Sequence, residues 1–261
     1  MKNIVIAAGY ATRLGELTKD FPKPLLKIGE KSILERMLDD IDGIDDITEH
    51  VIVTNHKFAH IFEEWKNTVN YRKPITILDD GTSTNETRLG AVCDLLLAIR
   101  MLDERKRSSQ NDRDAAEASD LLVVAADNLL FFSFKDFVDF AKAKGTSCII
   151  CHEQKELAKL QRTGVVVIDE NNRVLNMEEK PLQPKSNWAV PPFYVYLEKD
   201  LDLVRNAVAN GCGKDAPGNL AHYLCERTPM HAWPMAGTGE NLRFDIGSID
   251  TYKEACERFG H

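Results

Sequence analysis

The chain has 261 residues, enough for one large domain or two small ones, with 43% hydrophobic and 28% charged residues and a net charge of -8. The acidic balance argues against broad nucleic-acid binding, which needs a basic face, but a few local cations could still hold a small anionic substrate. No run of ~18 apolar residues could span a bilayer, and the N-terminus has no basic, apolar export segment, so a cytoplasmic protein with no membrane or nucleic-acid partner is expected.

In chain order, Asn3–Ala8 reads as a strand. Ser32–Ile41 reads as a helix, opened by Ser32 with Glu35 three residues on, a capping-box pattern. Val51–Thr54 is a strand and His56–Val69 a helix; Ile75–Leu78 is a strand and Thr87–Arg105 a helix. Leu121–Ala126 and Phe134–Lys144 repeat the pattern. Such alternation implies a parallel sheet with helices on both faces. The second half is less regular. Ser147–His152, Val165–Ile168, Val174–Met177 and Phe193–Leu197 read as strands, with Asp169–Asn172 as a hairpin turn. Helices are expected at Leu201–Asn210, Gly218–Arg227 and Ile249–Phe259, and a short strand near His231–Trp233. Glu104–Ser119 reads as a helix end and a polar surface excursion. Nothing divides the chain, so a single domain over 1–261 is expected.

Ligands of open α/β sheets bind beyond the carboxyl ends of the strands, where "AAGYATRLGELTKDFPKP" leaves the first strand. Gly9 would let a ligand approach the backbone, N–H groups around it could cradle phosphates, and Arg13 could fork onto phosphate oxygens. Lys23 lies between Pro22 and Pro24, which restrict its backbone. The loop is neither a Walker A loop nor a G-x-G-x-x-G fingerprint.

The loop does resemble the signature of the sugar-phosphate nucleotidyltransferases, G-x-G-T-R-L followed by P-K-P, with Ala11 where many members have the second glycine. Three further stretches resemble that family in the same order: "AADN" at Ala125–Asn128, "EEKP" at Glu178–Pro181 and "FDIGSIDTY" at Phe244–Tyr252. The resemblance implies a Rossmann-like, doubly wound, three-layer α/β fold with a mixed sheet. It also implies an Mg2+-dependent enzyme that joins a nucleoside triphosphate to a sugar 1-phosphate and releases pyrophosphate. By the same resemblance, Arg13 would hold the β and γ phosphates, Lys23 the α-phosphate and Lys180 the incoming sugar phosphate. Ala8 and Gly9 would touch base or ribose. The attacking phosphate oxygen is already ionised, so alignment and charge neutralisation would carry the catalysis. Asp127, at a strand end, and Asp245 could hold Mg2+, which takes one or two carboxylates plus phosphate oxygens and waters.

"DDGTSTNETRLG" follows the third strand, where the family reads the base. Gly81 allows a turn and Asn85 has a donor and an acceptor, while Arg88 would lie near the phosphates if a helix began near Thr87. Thr84 or Asn85 could instead cap that helix. Glu179 and Lys180 would face the sugar side, where Pro191 and Pro192 replace the glycine usual before the aromatic strand. Trp188 could stack on a ring or simply pack. The altered strand keeps open a cytidylyltransferase acting on a phosphorylated alcohol or phosphonate. A silent nucleotide-binding or regulatory protein is a third reading, and a homo-oligomer is compatible with all three.

Other patterns carry less. Cys148–His152 matches a C-x-x-C-H haem attachment pattern but also reads as a buried strand. The six cysteines are expected to be reduced and structural. His56, His60, Glu63 and Glu64 share a helix face better read as solvated than as a metal site.

Overall fold

The computed structural model describes residues 1–108, 120–238 and 243–260. Strand β1 (Lys2–Ile6) leads into the first loop and a single helical turn α1 (Glu16–Lys19), then a small hairpin, β2 (Lys27–Ile28) and β3 (Lys31–Ser32). Helix α2 (Ile33–Ile41) carries the expected capping box: Ser32 N donates to Glu35 Oε2 at 2.6 Å, and Glu35 N to Ser32 Oγ at 3.1 Å. The alternation continues through β4 (Glu49–Thr54), α3 (His56–Lys66), β5 (Ile75–Asp79), α4 (Ala91–Ser108) and β6 (Leu121–Ala125). Next come β7 (Asn128–Leu130), α5 (Phe134–Lys144), β8 (Ser147–Glu153), α6 (Leu157–Leu160), β9 (Gly164–Ile168) and β10 (Val174–Glu179). The chain finishes with β11 (Trp188–Val190), β12 (Phe193–Tyr196), α7 (Leu201–Asn206), α8 (Gly218–Cys225), β13 (Met230–Thr238), β14 (Arg243–Asp245) and α9 (Ile249–Phe259).

One mixed sheet holds ten of these strands in the order β10-β9-β11-β8-β12-β6-β1-β4-β5, with β13 added parallel to β8. Strands β6, β1, β4 and β5 are parallel, as the βα repeats require. Side chains alternate between two cores. Cys148 and Ile150 of β8 join one with α2, α3 and α5; Ile149 and Cys151 join the other with α4, α7 and α8. These are the three layers the repeats imply. A third, smaller core of Leu14, Leu26, Ile28, Ile33, Leu129, Ile246 and Ala255 packs the first loop, β7 and α9 together beyond the strand ends.

The helix expected from Thr87 begins at Ala91 instead. Gly90 adopts φ +92°, and a Cβ there would lie 2.6 Å from Lys214 O. The carbonyls of Asp215 and Lys214 accept from Ala91 N and Val92 N. The far part of the polar excursion, residues 109–119, lies outside the described residues. The six cysteines are free. Burial pushes the Cys148 thiol up to about 11 and that of Cys151 to about 12, so "CIICH" is interior strand. Among the described residues, no helix is long and apolar enough to cross a membrane.

Candidate active site

Backbone and side-chain bonds hold the first loop at the carboxyl end of β1. Asn55, fully buried, donates to Ala8 O at 3.0 Å and accepts from Phe58 N at 3.1 Å, so one side chain ties the loop to the cap of α3. Nothing lies within 4 Å of where a Cβ on Gly9 would stand, so the protein leaves that approach open. Ala11 has φ +46°, in the left-handed region where glycine is favoured, and Thr18 Oγ1 steadies it by donating to Ala11 O at 2.9 Å. An alanine thus holds here a backbone shape that glycine adopts more readily. Arg13 follows on the 3-10 turn Thr12–Leu14; Leu14 anchors that turn in the third core, and Arg13 is exposed with no ion pair among the described residues.

Lys23 opens the 3-10 turn Lys23–Leu25 and is only 8% exposed. Its Nζ lies 3.5 Å from Asp127 Oδ2, while the Asp127 side chain is 46% exposed. A two-stranded ribbon, β7 with β14, sets Asp245 opposite Asn128. Leu129 and Phe244 turn into the third core, so Asn128, Asp245 and Arg243 share the opposite face. The ribbon therefore sets the backbone of Asp245 opposite the residue that follows Asp127, whose carboxylate in turn meets Lys23. Among the described residues there is no cluster of three or more metal-ligating side chains. Two carboxylates suit a cation that takes its other oxygens from phosphates and water.

The loop after β5 is internally bonded. Gly81, at φ +78°, donates to Asp79 Oδ1 at 2.8 Å, and Thr82 N to Asp80 Oδ1 at 2.7 Å. Tyr10 Oη lies 3.1 Å from Thr82 Oγ1. Asn85 starts a 3-10 turn that Thr84, not Asn85, caps. Arg88 stands before Gly90, outside helix α4; it donates to Asn85 O at 3.0 Å and pairs with Asp215 at 3.6 Å. His56 also pairs, with Asp79 at 2.6 Å, which raises its pKa. Beneath this loop Asp94 is buried, with one oxygen unpartnered. Burial, helped by the charge of Asp80, pushes its carboxyl up to about 7.

The other side is built differently. β11 and β12 are two halves of one strand broken at Pro191–Pro192: β12 pairs with β6, and β11 with β9. The β9–β10 hairpin therefore begins where β6 ends. At its end the Glu179 side chain is only 15% exposed, and burial raises its carboxyl against the opposing charge of Lys180. A Cβ on Gly218 would stand 1.9 Å from Glu179 Oε2, and one on Gly164 would stand 3.2 Å away. Both glycines thus clear space for this carboxylate. Lys180 turns at φ +50°, with Nζ half exposed and 3.9 Å from Glu179 Oε1. Trp188 packs partly buried against the core. Sequence reasoning missed Asn55, Asp94, Asn128, Gly164, Gly218 and Arg243. Only Arg243 left a signal, two residues before Asp245 and so on the same face of any strand.

The nucleotidyl transferase family model matches residues 2–259. Glucose-1-phosphate adenylyltransferase of Fervidobacterium nodosum is 25% identical over 97% of this chain and 60% of its own length. Bifunctional protein GlmU of Methanocaldococcus jannaschii is 24% identical over 87% of this chain and 47% of its own. The chain thus spans about half to three-fifths of the length of these curated relatives. A crystal structure of UDP-glucose pyrophosphorylase complexed with UDP-glucose superposes with TM-score 0.77 at 19% identity, covering 99% of this chain and 97% of that one. A putative glucose-1-phosphate thymidylyltransferase from Bacillus anthracis gives TM-score 0.69 at 22% identity, covering 100% and 95%. With the fold shared and the match running almost end to end, the chain belongs to the nucleotidyl transferase family.

Proposed function

We propose that this protein transfers a nucleotidyl group from a nucleoside triphosphate to a sugar 1-phosphate, giving a nucleotide sugar and pyrophosphate. The observation that carries this reading is the buried Lys23 held against Asp127 at the strand ends, with Asp245 brought alongside by the ribbon. An oxygen of the acceptor phosphate forms a bond to the α-phosphorus as the bridging oxygen to the β-phosphorus leaves with pyrophosphate. The attacker is ionised at neutral pH, so no side chain need take a proton. Lys23 neutralises charge at the α-phosphate, unpaired Arg13 receives the β and γ phosphates, and Lys180 holds the acceptor phosphate. Backbone at Ala8 and Gly9, with Gly81 and Asn85, meets the nucleoside, and Glu179 accepts from acceptor hydroxyls. Asp127 and Asp245 would hold Mg2+; the 3.5 Å contact to Lys23 is too long to consume the lone pairs of Asp127 Oδ2. When bound, Mg2+ supplies Lewis-acid charge neutralisation on phosphate oxygens.

The names of the relatives make glucose 1-phosphate the first acceptor to try. The proline break in the acceptor-side strand favours one second reading, a cytidylyltransferase for a phosphorylated alcohol or phosphonate. A cytoplasmic location and a homo-oligomer belong to the same proposal. The test is pyrophosphate release with Mg2+ across ATP, CTP, UTP, dTTP and GTP against sugar 1-phosphates and phospho-alcohols. Turnover with one pair fixes base and acceptor. Nucleotide binding with no turnover on any pair overturns the enzymatic reading in favour of a binding protein.

A further inference from the structure

The β7–β14 ribbon carries two residues to the site that belong to none of the expected catalytic or metal-binding groups. Asn128 is 2% exposed, and both ends of its amide are engaged inside the protein. Its Nδ2 donates to Asp127 Oδ1, and its Oδ1 accepts from Arg243 Nη1 at 3.2 Å. A guanidinium can only donate, so the amide oxygen must face Arg243 and the amine must face Asp127. Turned the other way, the amide would set an oxygen against a carboxylate and a donor against a donor. Arg243 thereby decides the orientation of Asn128, and Asn128 that of Asp127. The contact of Asp127 with Lys23, at 3.5 Å, is the looser of its two restraints.

Arg243 itself is well fixed. It lies opposite Leu130 in the ribbon and two residues from Asp245, on the face away from the third core. No ion pair holds its charge among the described residues, although Asp245 shares its face. Its charge also reaches the buried His152, whose Nδ1 has no partner among the described residues.

We propose that Arg243 and Asn128 are positioning residues that act in series on Asp127, aiming its carboxylate at the place a divalent cation would occupy. The inference rests on the nucleotidyl-transfer reading of the site. Partners of this kind usually change metal affinity by ~10–100-fold when removed.

The test measures binding of Mn2+ alone to the full chain by electron paramagnetic resonance, without turnover, beside kcat and KM for whichever substrate pair is active. Arg243→Leu removes the donor, while Arg243→Gln keeps an N–H that can reach Asn128 Oδ1. Asn128→Leu removes the amide and keeps its bulk. The expected result is Mn2+ binding weakened by ~10–100-fold in both leucine variants, a lower kcat with little change in acceptor KM, and recovery of most of the loss in Arg243→Gln. Should leucine at the buried position 128 prevent folding, the half-buried Arg243 pair carries the test, with melting temperatures to show that both variants are folded. Leucine variants that bind Mn2+ as tightly as the unaltered chain overturn this inference alone, as does a glutamine variant no better than leucine. An unaltered chain that does not bind Mn2+ overturns the metal assignment together with it.

Discussion

The proposed nucleotide side and the proposed acceptor side of this site are held in opposite ways. On the nucleotide side, backbone groups are fixed by bonds from neighbouring elements: Asn55 to Ala8 O, Thr18 to Ala11 O and His56 N to Thr82 O. On the proposed acceptor side, side chains carry the work: Glu179 sits mostly buried against two glycines, the buried His152 has a nitrogen with no partner among the described residues, and Lys180 stands exposed on a left-handed residue. A preformed backbone cradle suits phosphates and a base, which every nucleotide shares. Desolvated side chains favour one acceptor over another, because an unmatched ligand leaves them unpaired. Under the proposed function, generality belongs to one side and selectivity to the other.

The strongest way to break this contrast is at the cation between the two halves. Lys23→Ala should lower kcat by ~100–1,000-fold, as loss of one preorganised charge-stabilising group does, with an unchanged melting temperature. A small loss of turnover would mean that Lys23 is structural. Asp94 comes next. Its folded-state carboxyl is pushed up to about 7 from an ordinary 3.8, so the native state keeps a proton that the unfolded chain has lost. Stability from this group is therefore lost as pH rises from 4 through 7, to an upper bound of about 4 kcal/mol. Asp94→Asn should be more stable than the unaltered chain at pH 8 and show a flatter stability profile between pH 4 and 7 in denaturant titrations. Equal profiles would mean that Asp94 finds a partner in solution.

Gly218→Ala sharpens the comparison. The new Cβ displaces the Glu179 carboxylate, the far end of a flexible side chain, so folding should survive. Acceptor KM should rise by ~10-fold, about 1.4 kcal/mol, with nucleotide KM unchanged in steady-state assays. A rise in nucleotide KM instead would erase the division between the two sides. The smallest effect is expected at Ala11. Relief of its positive φ and the greater chain entropy of glycine nearly cancel, so Ala11→Gly should change stability by less than ~1 kcal/mol and leave activity intact. Ala11→Val should destabilise measurably, because a β-branched residue tolerates that φ poorly.

The legible parts of the molecule were those with local causes. The capping box at Ser32 and Glu35 and the short buried run of β8 each act within a few residues, so the sequence displays them. The start of α4 was misjudged by four residues because carbonyls from Lys214 and Asp215 decide it. The β7–β14 ribbon left almost no trace: each strand has three residues, too few to show a period, and its halves are 115 positions apart. Lys23, Asp127 and Asp245 were found one by one from their motifs, whereas Asn128 and Arg243 acquire meaning only once paired.

The broken strand beside β6 has a mechanical consequence. Neither Pro191 nor Pro192 has an N–H to give, and Phe193 N turns back to Pro191 O at 2.8 Å. Pro192 still accepts from Ala125 N at 3.2 Å through its carbonyl, and both halves pair with β8, which runs past the break without interruption. β8 thus acts as a splint: the strand kinks at the prolines, yet the hairpin bearing Glu179 stays tied to the main sheet through β11 and to the core through Val166, Val174 and Met177.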